Sequence, residues 1–421
     1  MEVIKIDGQH KLNGKVKIHG AKNATVALIP ALCLADEEVI LQGVPNISDV
    51  QVLAEILEFL DVEVTLKGDE FIANPKNMKN KELPNSLASK LRASYYFMGS
   101  LLGKFNEVKM KMPGGCYLGP RPINLHIKGF ESLGVERIDD YDGYHLKTDS
   151  LVGSHIYLDF ASVGATINII LAATKAQGIT VIENAAKEPE IIDVCNLLNK
   201  MGAKIKGAGT DEITITGVDY LHSCIHEIIP DRIEAGTYLI IAAAVGENVV
   251  IDNIIPQHLD SLTSKLKEMG VNLEICEDSI VVKESFNEYK AIDVTTQTYP
   301  GFATDLQQPL TALLTKANGI SKITDSIYPE RFKHVLELQK MGAKVSTFMN
   351  MAIVEKNDNL NGAQVSATDL RGGAAMIVAG LMAKGITEID NIYHIDRGYT
   401  KIDEVLSSLG AKIWREKKSD D

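Results

Sequence analysis

The sequence predicts a mixed α/β (α+β) protein of two domains, each built from three repeats of about 70 residues. A short phrase of the form Leu/Met-Gly-Ala/Val recurs with its glycine at positions 134, 202, 270, 342 and 410, and Asp61 takes the glycine position in a weaker first copy. Successive copies are 73, 68, 68, 72 and 68 residues apart. Six such units in 421 residues fit two domains of ordinary size better than one array. A continuous α/β array that serves as a scaffold is the alternative at this point.

Each repeat predicts the same order of elements. A periodic apolar stretch such as 191–200 fits an amphipathic helix, and the glycine just past it suits a left-handed helix C-cap. Alternating residues at 213–216 predict a half-buried strand. A second helix, such as 233–245, is apolar on all sides and is therefore predicted to be buried. A strand such as 179–182 or 386–389 closes the unit.

Polar residues collect where the second, buried helix of each repeat begins. The repeat aligns these starts at Asn23, Arg92, Val163, Ile233, Asp305 and Arg371. Helix N-termini carry free backbone N–H groups and the positive end of the helix dipole, so they bind anions readily. If the buried helices are parallel, their N-termini converge on one face of each domain, and two opposed faces would form an anion-binding cleft. Local positive charge for that cleft is available from Lys22, Arg92, Arg331, Arg371 and Arg397.

Composition excludes several classes of protein. The 43 Lys and Arg against 56 Asp and Glu give a formal charge of −13, and no basic run is longer than Lys417-Lys418, which argues against a nucleic-acid surface. The longest apolar run, 238–245, is far shorter than the roughly 18 residues of a membrane span, and residues 1–5 do not read as a signal peptide. Five scattered cysteines with no C-x-x-C imply no zinc site and no disulfide framework. We expect a soluble, acidic, cytoplasmic protein.

One segment departs from the repeat. Residues 113–122 contain three glycines and three prolines, which predicts a loop. Cys116 lies on this loop with Arg121 nearby, where a thiol is reachable and its pKa can be tuned, so it is a candidate functional residue. A lone cysteine is otherwise usually a small buried apolar residue, and we expect this of Cys33, Cys195, Cys224 and Cys276.

Seven segments together resemble the UDP-N-acetylglucosamine 1-carboxyvinyltransferase family of enolpyruvyl transferases. They are Gly20-Ala-Lys-Asn-Ala24, Pro113-Gly-Gly-Cys116, Gly119-Pro-Arg-Pro122, Ser162-Val-Gly-Ala165, Glu183-Asn-Ala-Ala186, Glu188-Pro-Glu190 and Tyr393-His-Ile-Asp-Arg-Gly-Tyr399. The resemblance extends from end to end of the chain and implies a two-domain, inside-out α/β barrel of six βαβαββ repeats. Its buried parallel helices would have their N-termini at the cleft between the domains. The implied domains are 22–229 and 1–21 with 230–421, joined by a double crossover near Pro230.

The activity that the resemblance implies is transfer of the enolpyruvyl group of phosphoenolpyruvate to the 3′-hydroxyl of UDP-N-acetylglucosamine, with release of phosphate. The reaction would proceed by addition and elimination through a tetrahedral ketal, without metal or organic cofactor. It is the first committed step of peptidoglycan precursor synthesis, which serves cell-wall biogenesis, cell shape and cell division. The implied partners are the two small-molecule substrates, with no nucleic acid and no membrane, and a monomer is expected.

The resemblance also implies roles for individual residues. Cys116 matches the proton donor that fosfomycin alkylates, and loop 112–122 would close once the nucleotide sugar binds. Asp305 matches the base at the sugar hydroxyl, although a helix N-cap after Thr304 is the alternative explanation for this residue. Phosphoenolpyruvate would be bound by Lys22, Asn23, Arg121, Arg331, Arg371 and Arg397. UDP-N-acetylglucosamine would be bound by Asn23, Arg92, Arg121, Pro122, Ile123, Asn124, Leu125, Ser162, Val163, Asp305 and Ile327.

Three positions depart from the family pattern, and two other functions compete with the implied one. Asn124 replaces an Asp of many relatives, Ile327 replaces a common Val, and Phe160 stands where some relatives have a Lys, so no role is assigned to Phe160. The sister enolpyruvyl transferase that acts on shikimate 3-phosphate is a rival, but its Gly-Asn-Ala-Gly-Thr motif is missing. A catalytically silent relative or scaffold is the other rival, and the intact set of Lys22, Cys116, Asp305 and Arg397 argues against it.

Overall fold

Contacts within the chain divide it into two units. A computed structural model describes residues 2–111, 114, 123–138, 143–285, 288–357 and 359–417. One unit combines Met1–His19 with Pro230–Asp421, and the other is Gly20–Ile229. We call them the Asp305 unit and the Lys22 unit, after a residue of each. The limits 22–229, and 1–21 with 230–421, stay our proposal for the folding domains.

Helices and strands alternate along the whole described chain. The α-helices are α1 (Lys22–Ala31), α2 (Ser48–Phe59), α3 (Asn85–Ala88), α4 (Tyr96–Phe105), α5 (Asn124–Ser132), α6 (Val163–Ala173), α7 (Pro189–Lys200), α8 (Arg232–Val245), α9 (Asp260–Met269), α10 (Thr304–Leu314), α11 (His334–Lys340), α12 (Leu370–Met382), α13 (Tyr393–Asp396) and α14 (Ile402–Ser408). The strands are β1 (Glu2–Asp7), β2 (Leu12–Lys17), β3 (Val39–Gln42), β4 (Glu63–Lys67), β5 (Glu70–Asn74), β6 (Glu107–Met110), β7 (Glu136–Arg137), β8 (Tyr144–Lys147), β9 (His155–Tyr157), β10 (Ile179–Glu183), β11 (Lys204–Lys206), β12 (Glu212–Thr216), β13 (Cys224–Glu227), β14 (Gly246–Asp252), β15 (Asn272–Ile275), β16 (Ser279–Lys283), β17 (Asp293–Thr295), β18 (Ile320–Thr324), β19 (Val345–Phe348), β20 (Met351–Glu355), β21 (Gln364–Ser366), β22 (Ile386–Asp390) and β23 (Lys412–Lys417). The helix and strand positions predicted from the repeat are confirmed with one exception. The buried helix predicted to start at Arg92 is preceded there by a 3₁₀ turn, Arg92–Tyr95, and α4 itself begins at Tyr96.

The Asp305 unit places three buried helices inside three sheets. Helices α8, α10 and α12 pack against one another, and each is covered by its own four-stranded sheet. The strand orders are β15-β16-β14-β2 over α8, β17-β18-β20-β19 over α10 and β21-β22-β1-β23 over α12. Every sheet has one parallel and two antiparallel pairs, with registers such as Ile4 opposite Ile389. Every residue from Ile233 to Val245 is buried, as predicted for a helix that is apolar on all sides.

The Lys22 unit repeats this plan less regularly. Its two four-stranded sheets, β13-β3-β5-β4 and β11-β12-β10-β9, again have one parallel and two antiparallel pairs. The third sheet, β6-β8-β7, has three strands among the described residues. Helix α4 packs between α1 and α6, and α6 also contacts α5 and α7. The apolar side chains of these helices and sheets form one core in this unit, and those of the Asp305 unit form a second.

The recurring glycine ends the outer helix of each repeat. Glycines 134, 202, 270, 342 and 410 have φ between 87° and 108°, and Asp61 has φ 62° at the matching position. A residue in the left-handed conformation ends the helix and redirects the chain at this point. Glycine adopts this conformation readily because it has no Cβ to clash with the backbone. The predicted helix C-caps are confirmed, including the one that has Asp in place of Gly.

The cysteines differ from the expectation. Cys33 and Cys195 are buried as expected, and burial raises the pKa of each thiol to about 12. Cys224 is only partly buried and Cys276 is exposed, so the prediction of burial is wrong for Cys276. Cys276 lies in the turn between β15 and β16, β15 is the edge strand of its sheet, and residues 274–278 around the cysteine are all exposed. No helix of the described residues has the length and apolar character needed to cross a membrane.

Candidate active site

The carboxylate of Asp305, near the start of α10, is bound by two arginines. Nη1 of Arg331 donates to Oδ1 at 2.7 Å, and Nε and Nη2 of Arg371 donate to Oδ2 at 3.2 and 3.1 Å. Both arginines are buried, whereas the Asp305 side chain is 25% exposed. The alternative explanation as a helix N-cap is wrong, because α10 is preceded by Ala303 and has no side-chain cap. The carboxylate instead accepts hydrogen bonds from the guanidinium groups. These charge-assisted hydrogen bonds are stronger than a bond to a neutral backbone N–H would be.

These contacts keep Asp305 ionised. Burial alone would raise its pKa, but the charges of Arg331 and Arg371 and their hydrogen bonds outweigh burial. The pKa of the carboxyl therefore lies well below its usual range. The group of Asp305, Arg331 and Arg371, which we call the arginine clamp, offers two guanidinium groups and one carboxylate.

Arg371 is also held from the side opposite Asp305. Its Nη1 donates to the hydroxyl of Tyr399 at 3.0 Å, and the Tyr399 hydroxyl lies 2.9 Å from Oγ1 of Thr237. Thr237 donates its own hydrogen to the carbonyl of Ile233, so Tyr399 must donate to Thr237 and can only accept from Arg371. All three side chains are buried. The orientation of the Arg371 guanidinium is therefore determined by neighbours on α8 and in the segment after α13.

Asp325 fixes the loop that holds Ile327. It is fully buried, and its Oδ1 accepts from the backbone N–H of Ile327 at 3.0 Å and of Tyr328 at 2.8 Å. Its Oδ2 accepts from the hydroxyl of Thr304 at 2.7 Å, and Thr304 in turn accepts from Nη1 of Arg331 at 3.2 Å. Ile327, predicted at the sugar, is thus linked to the arginine clamp through Asp325 and Thr304.

The starts of α10 and α12 contact each other in the Asp305 unit, and Asp231 at the start of α8 lies close enough to Arg371 of α12 for its charge to raise the pKa of that arginine. Asp231 caps α8 and Asp369 caps α12 through their carboxylates. Gln308 of α10 donates to both carboxylate oxygens of Asp369 at 3.2 and 3.3 Å. Arg397 is half-buried at the end of α13, two residues before Tyr399. This end of the unit therefore concentrates the predicted anion-binding residues.

In the Lys22 unit, Lys22 begins α1 and forms an ion pair with Asp49 of α2. The Nζ–Oδ2 distance is 2.9 Å, and both side chains are largely shielded, at 13% and 4% exposed. Asn23 follows Lys22 in the first turn of α1 and is half-buried. The Asp49 carboxylate therefore lies where it compensates the charge of this shielded ammonium group.

A second group of predicted residues surrounds the start of α6. Ser162 caps the helix, its Oγ accepting from the backbone N–H of Ala165 at 3.4 Å, and Val163 is the first helical residue. Arg92 opens the 3₁₀ turn Arg92–Tyr95 that leads into α4, and its guanidinium lies 5.8 Å from the ring centre of Tyr95. An arginine and the N-terminus of a buried helix thus belong to the same part of this unit, and a helix N-terminus is a favourable place for an anion.

The segment predicted to bind uridine is described in part. Ile123 is buried before α5, Asn124 begins α5 and is exposed, and Leu125 is half-buried. Cys116, Arg121 and Pro122 lie outside the described residues, and so does most of loop 112–122. Within the described ranges, no three His, Cys, Asp or Glu side chains lie together so as to hold a metal ion.

The structure adds residues that sequence reasoning missed. Tyr399 ended a quoted motif without a role, and Thr237 and Asp325 were not singled out. Two signals were available in the sequence. Thr237 is a polar residue within an apolar helix, and Asp325 is an acidic residue directly after strand β18. Neither signal identifies the side chain that the residue contacts, because that side chain belongs to another helix or loop.

Comparison with known proteins shows the family to which this chain belongs. A family model described as EPSP synthase (3-phosphoshikimate 1-carboxyvinyltransferase) matches residues 6–406. Among solved structures, the fold is similar to the enolpyruvyl transferase NikO from Streptomyces tendae, with a TM-score of 0.91 at 24% identity over 99% of each chain. It is also similar to EPSP synthase from Acinetobacter baumannii, with a TM-score of 0.76 at 18% identity over 99% of this chain and 100% of that one. The chain belongs to the EPSP synthase family and is a transferase.

Particular relatives are more similar. The chain is 56% identical to UDP-N-acetylglucosamine 1-carboxyvinyltransferase 2 of Geobacillus kaustophilus, over 100% of this chain and 98% of that protein. It is 54% identical to the Bacillus subtilis protein of the same name over the same shares. The Listeria monocytogenes protein of that name is 56% identical over 97% of both chains. The resemblance drawn from the sequence motifs is confirmed.

Proposed function

We propose that this protein transfers the enolpyruvyl group of phosphoenolpyruvate to the 3′-hydroxyl of UDP-N-acetylglucosamine and releases phosphate. The observation that carries the proposal is identity of 54–56% along essentially the whole chain to proteins named for this transfer. The description of the family model names the shikimate reaction, but the model covers the family as a whole and does not distinguish between acceptors. The names of the full-length relatives support UDP-N-acetylglucosamine as the acceptor.

The arginine clamp supports this chemistry. Phosphoenolpyruvate carries a carboxylate and a phosphate, which compete with Asp305 for Arg331 and Arg371. As an arginine turns to the substrate, Asp305 loses a positive neighbour and its pKa rises. The carboxylate then becomes a better acceptor for the proton of the sugar hydroxyl, and its partial exposure leaves it accessible to that hydroxyl.

The proposed steps balance as an addition followed by an elimination. The sugar 3′-hydroxyl gives its proton to Asp305 and its oxygen bonds to C2 of phosphoenolpyruvate, while Cys116 delivers a proton to the methylene carbon C3, which gives the tetrahedral ketal. C3 then returns a proton to the Cys116 thiolate, the double bond re-forms, the C2–O bond to phosphate breaks, and phosphate leaves with the proton held by Asp305. Phosphate would be held by Lys22, Arg121 and Arg397, and the carboxylate by Arg331 and Arg371, with Asn23 beside both substrates. No metal or organic cofactor enters these steps.

The nucleotide sugar is proposed to bind mainly at the starts of α5 and α6. The residues assigned to it are Asn23, Arg92, Arg121, Pro122, Ile123, Asn124, Leu125, Ser162, Val163, Asp305 and Ile327. Asn124 still offers an acceptor for the uracil N–H although many relatives have Asp there. Loop 112–122 would close over the site after the nucleotide sugar binds and exclude water.

The cellular role follows from the proposed reaction. It would be the first committed step of peptidoglycan precursor synthesis in the cytoplasm, and so would support cell-wall biogenesis, cell shape and cell division. The protein would act as a monomer on its two small-molecule substrates and would be a target of fosfomycin through Cys116.

Phosphate release from phosphoenolpyruvate tests the proposal. Release is expected with UDP-N-acetylglucosamine, is not expected without it or with shikimate 3-phosphate, and should stop after fosfomycin treatment. Cys116→Ser is expected to be nearly inactive, and Cys116→Asp to keep activity with an acid-shifted pH optimum, because a carboxylic acid holds its proton only at lower pH. Release that depends on shikimate 3-phosphate instead would replace the proposed acceptor. Binding of UDP-N-acetylglucosamine without any release would indicate a silent relative.

A further inference from the structure

Arg415 of β23 forms hydrogen bonds with three carboxylates, and the proposed function gives it no role. Its Nη2 and Nη1 donate to Oδ1 and Oδ2 of Asp396, at the end of α13, at 2.6 and 3.0 Å. Its Nε donates to Asp403 of α14 at 3.0 Å, and Nη1 also lies 3.5 Å from a carboxylate oxygen of Glu2 in β1. An isolated ion pair at a surface seldom fixes geometry, but a bidentate arginine–carboxylate pair within a network does. The contact with Asp396 is the bidentate one.

Asp396 is the last residue of α13 and directly precedes Arg397, to which the proposed function assigns phosphate binding. Helix α13 is a single turn of four residues, Tyr393–Asp396. Isolated helices shorter than about 12 residues are not stable in water, so a single turn keeps its conformation only through contacts with the rest of the protein. The position of the Arg397 backbone therefore depends on what holds the residues on either side of it.

Contacts on the C-terminal side of Arg397 hold the chain against α12. The Tyr399 hydroxyl accepts from Nη1 of Arg371, an α12 residue, at 3.0 Å. Gly398 lies so close to α12 that a Cβ there would be 2.7 Å from a methyl carbon of Leu370. The backbone that follows Arg397 is thus fixed by a buried hydrogen bond and by close packing.

On the N-terminal side of Arg397, one apolar contact and one ion pair hold the chain. Ile395 is buried against α12, where a Cβ at Gly373 would be 2.5 Å from its Cγ1 atom. A single apolar contact sets the distance of α13 from α12 but leaves its rotation free. The two parallel hydrogen bonds between Asp396 and Arg415 add a direction, because a bidentate pair forms in one relative orientation.

We propose that Arg415 is a positioning residue for phosphoenolpyruvate: by holding Asp396, it keeps the backbone of Arg397 where that guanidinium group meets the phosphate of the substrate. The proposal rests on the proposed function, which assigns Arg397 to phosphate binding, and adds to it a residue of β23. A binding group displaced by about 1 Å can cost up to about a hundredfold in rate, so even a partial loss of this restraint is measurable.

A purely structural role at the sheet edge is the alternative explanation for Arg415. Strands β1 and β23 already pair over six residues, from Glu2 opposite Lys417 to Asp7 opposite Lys412. The contact of Arg415 with β1 is also the longest of its hydrogen bonds, at 3.5 Å. The shorter contacts all lead to α13 and α14. The geometry therefore favours a role in positioning the chain at α13 over a role in joining the two strands.

Steady-state kinetics of phosphate release test the proposal with Arg415→Met, which removes the guanidinium group and keeps an unbranched side chain. We expect kcat/KM for phosphoenolpyruvate to fall about tenfold. The calorimetric Kd for UDP-N-acetylglucosamine should stay within about twofold of the wild type, because most residues assigned to it belong to the Lys22 unit. Lys5→Met is the matched control and should change neither quantity. Lys5 lies on β1 of the same sheet, is 22% exposed against 24% for Arg415, and pairs with Glu388 and Glu416.

A double-mutant comparison separates action through Arg397 from a loss of stability. If Arg415 acts through Arg397, its removal matters only while Arg397 is present. We therefore expect Arg415→Met to lower kcat/KM for phosphoenolpyruvate about tenfold in the wild type but less than about twofold in Arg397→Met. Equal factors in the two backgrounds would overturn the proposal, because a general loss of structure does not depend on Arg397.

Asp396→Asn is a second variant, which changes the pair from its other side and leaves Arg415 in place. The Asp396 side chain is 36% exposed, so this variant is expected to fold even if Arg415→Met does not. An amide offers one acceptor oxygen in place of two, and kcat/KM for phosphoenolpyruvate should fall about threefold or more. An unchanged value would overturn the proposal. Wild-type chain that releases no phosphate overturns this proposal and the proposed function together, whereas wild-type release with an unchanged Arg415→Met variant overturns this proposal alone.

Discussion

The hydroxyl of Tyr399 accepts a hydrogen bond from Nη1 of Arg371 at 3.0 Å, and the tyrosine ring lies 5.4 Å from the guanidinium carbon. Arg371 is among the largest fully buried side chains of the described residues. A buried guanidinium is stable only when its charge and N–H groups are compensated. Asp305 compensates the charge on one side, and Tyr399 accepts from the other. Tyr399 therefore acts on the site through Arg371.

Replacing Tyr399 by Phe should loosen Arg371 without opening a cavity. We expect phosphate release to slow about tenfold and the free energy of unfolding to fall by about 1–3 kcal/mol, because one charged N–H loses its buried acceptor. The matched control is Tyr238→Phe, since Tyr238 is the next residue after Thr237, is equally buried, and has a hydroxyl without a described hydrogen-bond partner. That control should stay within about 0.5 kcal/mol of the wild type. Equal effects of the two substitutions would remove the special role of Tyr399.

Asp305→Asn should reduce turnover about a hundredfold or more, because the amide cannot accept a proton from the sugar hydroxyl. The folded chain should also lose about 1–3 kcal/mol at pH 7, since the two buried guanidinium groups lose their counter-charge while partial exposure screens the loss. Glu330→Gln, at an exposed position next to Arg331, is the control and should change neither quantity. Steady-state kinetics and urea unfolding measure the two effects, and full activity of Asp305→Asn would exclude Asp305 as the base.

The same carboxylate predicts a pH dependence of stability. The folded-state pKa of Asp305 is below its ordinary value of 3.8, so its contribution is fully present above that value. This contribution to stability is lost as the pH falls below 3.8 toward the folded-state pKa. Below about pH 4 the wild type should therefore lose stability more steeply than Asp305→Asn. Parallel curves for the two proteins in acid would show that Asp305 is not ion-paired in the folded state.

The ion pair of His19 with Glu234 should give a pH dependence of stability opposite in sign to that of Asp305. Nδ1 of His19 lies 3.0 Å from Oε1 of the buried Glu234, and this hydrogen bond raises the pKa of His19 above 6.5. A raised histidine pKa contributes stability that is fully present below pH 6.5 and is lost as the pH rises through the folded-state value. As the pH rises above 6.5 the wild type should therefore lose stability relative to His19→Gln. Glu234→Gln should abolish the same slope, and a slope that survives it would assign the effect to another group.

Gly270 tests the helix ends of the repeat. It has φ 99°, and the space that a Cβ would occupy is open, so only backbone strain opposes a side chain there. Gly270→Ala should lower the free energy of unfolding by about 1–2 kcal/mol. Lys267→Ala, at an exposed position one turn earlier in α9, should change it by less than about 0.5 kcal/mol. An unchanged stability of Gly270→Ala would mean that this helix end adopts another conformation.

Much of the fold could be predicted because its signals are local. The period of α7, the alternation in β12 and the glycine after each outer helix are set by residues within one turn or strand. Exposure of Cys276 could not be predicted, because it depends on whether another layer covers the edge of its sheet. The role of Asp305 was ambiguous for a similar reason, since its neighbours in sequence suggest a cap and its neighbours in space are arginines.

The sequence by itself determined the six repeats, the order of their elements, the starts of the buried helices other than α4, and the family to which the chain belongs. Only the tertiary structure decided which of the charged residues meet. Arg371 is 66 residues from Asp305 in the chain, and Tyr399 is 162 residues from Thr237. Such contacts depend on how α8, α10 and α12 pack, and packing reflects the shapes of many apolar side chains at once. A hydrogen bond forms or fails within a few tenths of an ångström, which no local pattern in the sequence specifies.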